Sequence, residues 1–438
     1  MFWVILIIVV FIVLYLAKYY AYIKNYPKGP MPIPLLGNLH QLKTHNTHLH
    51  FDELAKAYGD VFTVFMPRPV VIITKFQNMK KALIRRGDDF VGRSGLFPDN
   101  IFQSFPNGGI TFASGDSWRE QRRISLRILK DFGMGSGITE DQTNFGTEDQ
   151  SKKYRLRCGS ADGSVVSSSI KESQQLKDDA DKLKVFIREQ VDKQKAQFDP
   201  CKEPQTFVHA LLLEMHKGNR FLCYEQLVDI TMDFWLAAME TTSITLRWAI
   251  LFLIANPQVQ HRMRAEIIDI VGKDRRICMA DKLSMPYCTV AVVEIQRRAN
   301  VLPQNVMHRT VKQTMVSGHC IPADTLVLPQ ISSVLSDSSL FENPDEFKPE
   351  RFLQDDGKTP HKELLQYVVP FSMGKRQCAG EPLASVKLFL ILTTLLQNFI
   401  LEKPLDGALP DLEPDFAFFA FPKQYKLRIV PISGCEES

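Results

Sequence analysis

The residues best equipped for chemistry lie near the end of the 438-residue chain, in Phe371-Ser-Met-Gly-Lys-Arg-Gln-Cys378-Ala-Gly380. The stretch reads as a glycine-hinged loop that delivers one cysteine to the start of a long apolar helix, Pro382 to Phe399. A sulfur at a helix N-terminus faces free backbone N–H groups and the positive end of the helix dipole, which favours its thiolate. Arg376 adds positive charge that could grip an anion over the loop. Gly374 and Gly380 mark places where the backbone can approach a bulky flat ligand closely. The plainer use of a cysteine beside an apolar helix is as a small buried hydrophobe.

Other residues qualify by spacing. Tyr224 to Ala255 reads as one apolar-rich helix, and its middle carries Ala237-Ala238-Met239-Glu240-Thr241-Thr242. An acid followed by threonine inside a buried helix is costly unless used, although threonine hydroxyls also bond back to helix carbonyls. Trp118 and Arg122, four apart, share one face of a basic helix. Glu294 and Arg297, three apart, share another, and Arg351 in Phe347-Lys-Pro-Glu-Arg-Phe follows at a distance that would let it close a Glu–Arg–Arg network. As a surface pair, Glu294 and Arg297 would contribute only about 0.2–0.5 kcal/mol.

The order Phe, two residues, Gly, one, Arg, one, Cys, one, Gly fixes five positions at once and resembles the haem-binding signature of cytochrome P450, whose cysteine thiolate is the axial iron ligand. The resemblance implies haem b bound through Cys378, with Phe371, Gly374, Arg376 and Gly380 shaping the cofactor loop. It implies Trp118 and Arg122 as donors to a haem propionate, a task that suits the arginine fork, with Arg93 and His308 as further propionate partners. The segment around Glu240 and Thr241 is similar to the family's oxygen-activation motif, so Thr241 would help deliver protons and Glu240 would support the relay. Ala238 stands where the family has glycine and Met239 where a small or polar residue is common, which would narrow the groove for oxygen. Glu294, Arg297 and Arg351 match the segments that brace the cysteine loop from behind and are structural.

The elements around these residues fit that expectation. Met1 to Ala17 carries no charge and extends to about 20 apolar residues, roughly what a bilayer core requires. Residues 1–23 therefore read as a transmembrane signal anchor rather than a cleaved signal. Lys18, Lys24 and Lys28 follow it and place the rest in the cytoplasm. Residues 24–40 are proline-rich and read as a stiff extended connector resembling the hinge of microsomal family members. Residues 41–438 form the catalytic domain. Val61 to Met66 and Val70 to Thr74 read as paired strands, with more strands at Thr325 to Leu328, Phe416 to Phe421 and Tyr425 to Val430. Ser94 to Ser114 is a loop whose phenylalanines, Phe97, Phe102, Phe105 and Phe112, are costly to expose together, and in the family this loop lines the substrate pocket. Between 133 and 180 the composition turns to Gly, Ser and Asp without apolar periodicity, and a mobile segment is expected there, followed by a basic helix from Asp181 to Gln197.

The whole resembles an animal family 2-like, microsomal cytochrome P450: mainly α with a small β region and an N-terminal transmembrane helix, with part of the middle helices, the D to F/G region, missing or replaced. The implied activity is haem-dependent monooxygenation of a small hydrophobic molecule such as a fatty acid, steroid or xenobiotic. NADPH-cytochrome P450 reductase would supply the electrons, with cytochrome b5 as a second donor, at the cytoplasmic face of the endoplasmic reticulum membrane. The alternatives are a haem-binding but catalytically impaired truncated homologue and a remnant that takes up no haem. A net charge of +4 gives no case for nucleic acid, and eight scattered cysteines without CxxC spacing give none for zinc.

Overall fold

Val61-Phe-Thr-Val-Phe-Met and Arg68-Pro-Val-Val-Ile-Ile are rich in the β-branched and aromatic side chains that suit a buried pleated surface. They form β1 (Val61–Met66) and β2 (Arg68–Ile73), paired antiparallel from Val61↔Ile73 to Met66↔Arg68, with Pro67 at the turn. A computed structural model of the chain describes residues 1–43, 46–96, 98–134, 167–405, 407–416 and 418–432. The chain is mainly helical and divides into two compact units: Met1–Ser94 with Pro303–Val334 and Ser372–Gln377, and Gly95–Leu302 with Leu335–Phe371 and Cys378–Ser438.

The first unit begins with α1 (Phe2–Ile23), none of whose residues is buried and which is long and apolar enough to cross a membrane. Next come α2 (Thr47–Tyr58) and α3 (Phe76–Lys80), which runs on through a π-turn at Lys81–Arg85. β3 (His308–Arg309), the hairpin of β4 (Thr314–Val316) and β5 (His319–Ile321), and β6 (Leu326–Pro329) complete it. The sheet runs β1-β2-β6-β3, with β6 parallel to β2. The proline-rich stretch is no free connector, because it is pinned to β1. The buried Asn38 accepts from the Phe65 N–H at 2.8 Å and donates its amide to the Pro30 carbonyl at 3.1 Å. A Cβ on Gly29 would lie 1.9 Å from the Thr63 carbonyl oxygen, and one on Gly37 2.1 Å from that of Phe65.

The second unit is built from α4 (Gly115–Asp131), α5 (Ser167–Ala196), α6 (Phe207–His216), α7 (Tyr224–Ala255), α8 (Pro257–Ile270), α9 (Pro286–Ala299) and α10 (Glu381–Asn398). Its core joins the apolar stripes of α7 to α10 through Leu251, Phe252, Met263, Ile295, Phe389 and Leu392, all buried. β7 (Phe399–Glu402) pairs with the tail strand β10 (Arg428–Pro431), while β8 (Pro414–Phe416) and β9 (Ala420–Pro422) form a hairpin. The aromatic run at 416–421 is therefore not one strand: Phe416 pairs with Ala420, and the chain reverses between them.

Most of the segment expected to be mobile lies outside the described residues, as does Phe97. Its end does not, since α5 starts at Ser167, well before Asp181. Gln174 and Gln175 donate to Asp178 and Asp179, four residues on, at 2.8 and 2.9 Å. Such pairs support a helix where apolar periodicity is lacking.

Candidate active site

Cys378 stands at the foot of α10, where its backbone N–H donates to the Phe371 carbonyl at 3.0 Å and closes the loop. The residue is exposed, yet enough protein lies around the sulfur to desolvate it in part. Burial pushes the thiol up from its ordinary value, and the Gly380 N–H, Arg122 and the Glu381 N–H pull it back without overcoming that push. The helix terminus alone thus leaves a thiol; a cation at the sulfur would be needed to make the thiolate dominant at neutral pH. Gly380 has open space beside it, because a Cβ there would meet only the Cys378 sulfur, at 3.9 Å.

Within the same unit, α4 presents Trp118, buried, and Arg122, whose titration the Cys378 charge shifts upward against the larger downward pull of burial. α7 packs against α10, and its Ala237 and Ala238 are exposed although the helix is buried on either side of them. The Thr241 hydroxyl donates to the Ala237 carbonyl at 2.6 Å, and that of Thr245 to the Thr241 carbonyl at 2.8 Å. Threonine here makes the back-bond that the sequence left open as an alternative. Glu240 is partly buried.

The first unit gathers two guanidiniums and an imidazole. Arg376 is buried and donates from Nε and Nη2 to the Val91 carbonyl at 2.9 and 2.5 Å. Arg93, also buried, donates to the carbonyls of Met307 at 2.9 Å and Val306 at 3.4 Å. His308 is buried and donates from Nδ1 to the Phe90 carbonyl at 2.8 Å. Burial drives its titration well below the ordinary range, and the charges of Arg93 and Arg376 add to that. At Gly374 a Cβ would strike the Leu83 carbonyl oxygen at 2.0 Å, and its φ is +76°. Close backbone packing requires that glycine.

Glu294, Arg297 and Arg351 form a buried network. Arg297 grips Glu294 through Nε at 2.7 Å and Nη2 at 2.9 Å, and donates to the carbonyls of Leu335 and Pro344, each at 2.7 Å. Arg351 reaches Glu294 Oε1 at 3.2 Å and the Glu342 carbonyl at 2.5 Å. Fully buried, this pair is not the weak surface pair its spacing alone suggests.

The cytochrome P450 family profile matches residues 27–163 and 164–429. Cytochrome P450 2H1 of Gallus gallus is 33% identical over 465 aligned positions, which span 92% of this chain and 93% of that protein. Cytochrome P450 2G1 of Oryctolagus cuniculus is 32% identical over 92% and 93% of the two chains. Cytochrome P450 2E1 of the same species is 31% identical over 93% and 94%. The chain belongs to the cytochrome P450 family. This cytochrome P450 is an oxidoreductase of the monooxygenase type. Since 92% of 438 residues is about 403, about 60 of the 465 positions aligned with the Gallus gallus protein have no residue of this chain opposite them.

The family implies haem, and the donor chemistry fits it. A crowded thiol with backbone N–H groups trained on it suits a soft metal ligand. Two buried guanidiniums beside a neutral imidazole suit an anion such as a propionate. Sequence reasoning missed Asp229 and Asp233 of α7, which bind the loop at 104–111. It also missed Asn305, whose amide donates to the Ser372 hydroxyl at 3.0 Å in the cysteine loop. The two aspartates carried a visible signal, because acids inside an apolar helix raise the same question as Glu240.

Proposed function

We propose that this cytochrome P450 inserts one oxygen atom of O2 into a small hydrophobic molecule of the fatty acid, steroid or xenobiotic class, while the other oxygen takes up two electrons and two protons and leaves as water. NADPH-cytochrome P450 reductase supplies NADPH electrons, with cytochrome b5 as a second donor. Haem b, bound through Cys378, supplies the activation of oxygen. The chain's own residues do the rest. Cys378 provides the sulfur; Trp118, Arg122, Arg93, His308 and Arg376 hold the propionates. Phe371 fixes the loop through its carbonyl, Gly380 leaves room for the flat ring, and Ala238 lines it. Thr241 turns its hydroxyl from the Ala237 carbonyl to pass a proton, and Glu240 supports that transfer. Glu294, Arg297 and Arg351 keep their part of the unit rigid. α1 anchors the chain in the endoplasmic reticulum membrane, with Lys18, Lys24 and Lys28 on the cytoplasmic side.

One observation carries this reading: the exposed but crowded Cys378 thiol with the N–H groups of Gly380 and Glu381 and the charge of Arg122 directed at it. The test is the absorption spectrum of the reduced, carbon monoxide-treated full chain. A red-shifted Soret band that disappears in Cys378→Ser is expected; its absence from the parent protein ends the proposal. The missing aligned positions, together with Ala238 and Met239, favour a second reading, a haem-binding homologue with weak turnover. Substrate-dependent NADPH consumption with purified reductase separates the two.

A further inference from the structure

The joint between α1 and β1 leaves the chain little room to swivel. Past the last turn of α1 the N–H groups of Asn25 and Tyr26 still donate to the carbonyls of Tyr22 and Ile23, each at 3.1 Å. Pro27 and Pro30 follow, both buried, and proline fixes its own φ. Gly29 sits against the Thr63 carbonyl so closely that no side chain fits, and the Asn38 N–H donates to the Phe65 carbonyl at 2.7 Å. The stretch is thus bonded to β1, an outer strand of its sheet.

Aromatic side chains close the same joint. Tyr15, Tyr19, Tyr22 and Tyr26 are spaced four, three and four apart, which sets them in one row along a helix. Tyr15 and Tyr19 stack with ring centres 6.3 Å apart. The rings of Tyr22 and Tyr26 meet edge to face at 5.2 Å, and their hydroxyls lie 2.7 Å apart. Both rings also meet Phe65, buried in β1, edge to face at 6.5 and 5.8 Å. The Tyr19 hydroxyl donates to the Ile33 carbonyl at 3.3 Å. Tyr20 lies off the row and, among the described ring contacts, meets the Tyr19 ring alone. Tyrosine suits a place where an apolar span ends, because its ring is apolar and its hydroxyl can face water or headgroups.

We propose that this tyrosine row is an intramolecular docking face that welds α1 to the first unit, so that anchor and unit sit in the membrane as one body. The expected connector at 24–40 is then no hinge. Residues 372–377, with Arg376, belong to this unit, and the weld carries them at one angle to the bilayer. That this angle serves an electron donor rests on the proposed function; the weld itself does not.

The full chain in phosphatidylcholine nanodiscs tests the weld without substrate or turnover. Spin labels on non-natural residues at Val13 of α1 and His319 of β5, both exposed, should give one narrow distance distribution. Tyr22→Ala combined with Tyr26→Ala should broaden it about twofold or more, while Tyr20→Ala should leave it alone. Trypsin reads the same joint at Lys24 and Lys28, both exposed. Cleavage there needs the joint to open, so Tyr22→Phe, a loss of one hydroxyl, should speed it about two- to tenfold. A broad distribution in the parent overturns the weld, as does a double variant as narrow as the parent. Equal broadening in Tyr20→Ala overturns the part given to the row, and unchanged cleavage in Tyr22→Phe the part given to the hydroxyl pair. Should α1 fail to enter the nanodisc, the anchor of the proposed function falls, and the same distances measured in detergent micelles still decide the weld. Loss of monooxygenase activity would leave every readout as expected.

Discussion

A β-carbon on Gly374 would lie 2.0 Å from the carbonyl oxygen of Leu83, whereas one on Gly380 would meet nothing closer than the Cys378 sulfur at 3.9 Å. The two glycines of the cysteine loop thus serve different ends. Gly374→Ala must open a backbone contact and hold alanine at a φ of +76°, and should cost about 2 kcal/mol or more. Gly380→Ala, at a φ of −91°, should change stability by less than about 1 kcal/mol. Thermal denaturation distinguishes them. If Gly380→Ala loses haem while melting normally, its hydrogen faces the cofactor; equal melting losses for both would refute the distinction.

Much of this was legible from local pattern. The strands β1 and β2, the helices α7 and α10 and the spacing around Cys378 are set by residues close together in the chain, so periodicity and turn chemistry expose them. What escaped depends on distant partners. Gly374 is required by Leu83, almost three hundred positions away, and His308 is buried because Phe90 offers its carbonyl. The proline-rich stretch looks like a connector until Asn38 is seen to bridge it to Phe65. Arg93 and Arg376 were readable as positive groups, but not their anchoring on the carbonyls of Met307 and Val91. α5 was placed too late because hydrophobic periodicity is blind to Gln–Asp pairs.

Asn38 provides a test of that bridge. Its side chain satisfies the Phe65 N–H and donates to the Pro30 carbonyl at a fully buried position. Asn38→Ala leaves both unsatisfied and should destabilise the first unit by about 1–3 kcal/mol. Proteolysis should then cut near residues 30–40 first. A variant as resistant as the parent would show that the stretch is held by something else.

His308 predicts acid sensitivity. Its titration in the fold lies well below the ordinary 6.5, through burial and then through Arg93 and Arg376. Since the fold binds this proton more weakly than the unfolded chain, stability is full above about 6.5 and declines as pH falls below it. His48, lowered by burial to about 4, acts in the same direction. His308→Gln should flatten the loss between about pH 6.5 and 5, and His48→Gln should flatten it in part. An unchanged dependence of the melting temperature on pH in both variants would contradict the assignment.

The sharpest energetic prediction concerns Glu294 and Arg297. Both are fully buried, and Arg297 binds Glu294 through two nitrogens as well as two backbone carbonyls at 2.7 Å. Glu294→Gln strands the charges of Arg297 and Arg351 in a dry site and should cost about 3–5 kcal/mol. Arg297→Lys should cost a comparable amount, because a point charge cannot reproduce the planar fork. Glu294→Gln combined with Arg297→Met removes both charges, and its loss should be smaller than the sum of Glu294→Gln and Arg297→Met alone by about 1–3 kcal/mol. Chemical denaturation of the four proteins measures this coupling. If each single change costs only the few tenths of a kcal/mol of an exposed pair, the network carries no such burden, and the rigidity of α9 against the Leu335 to Glu346 segment must come from packing instead.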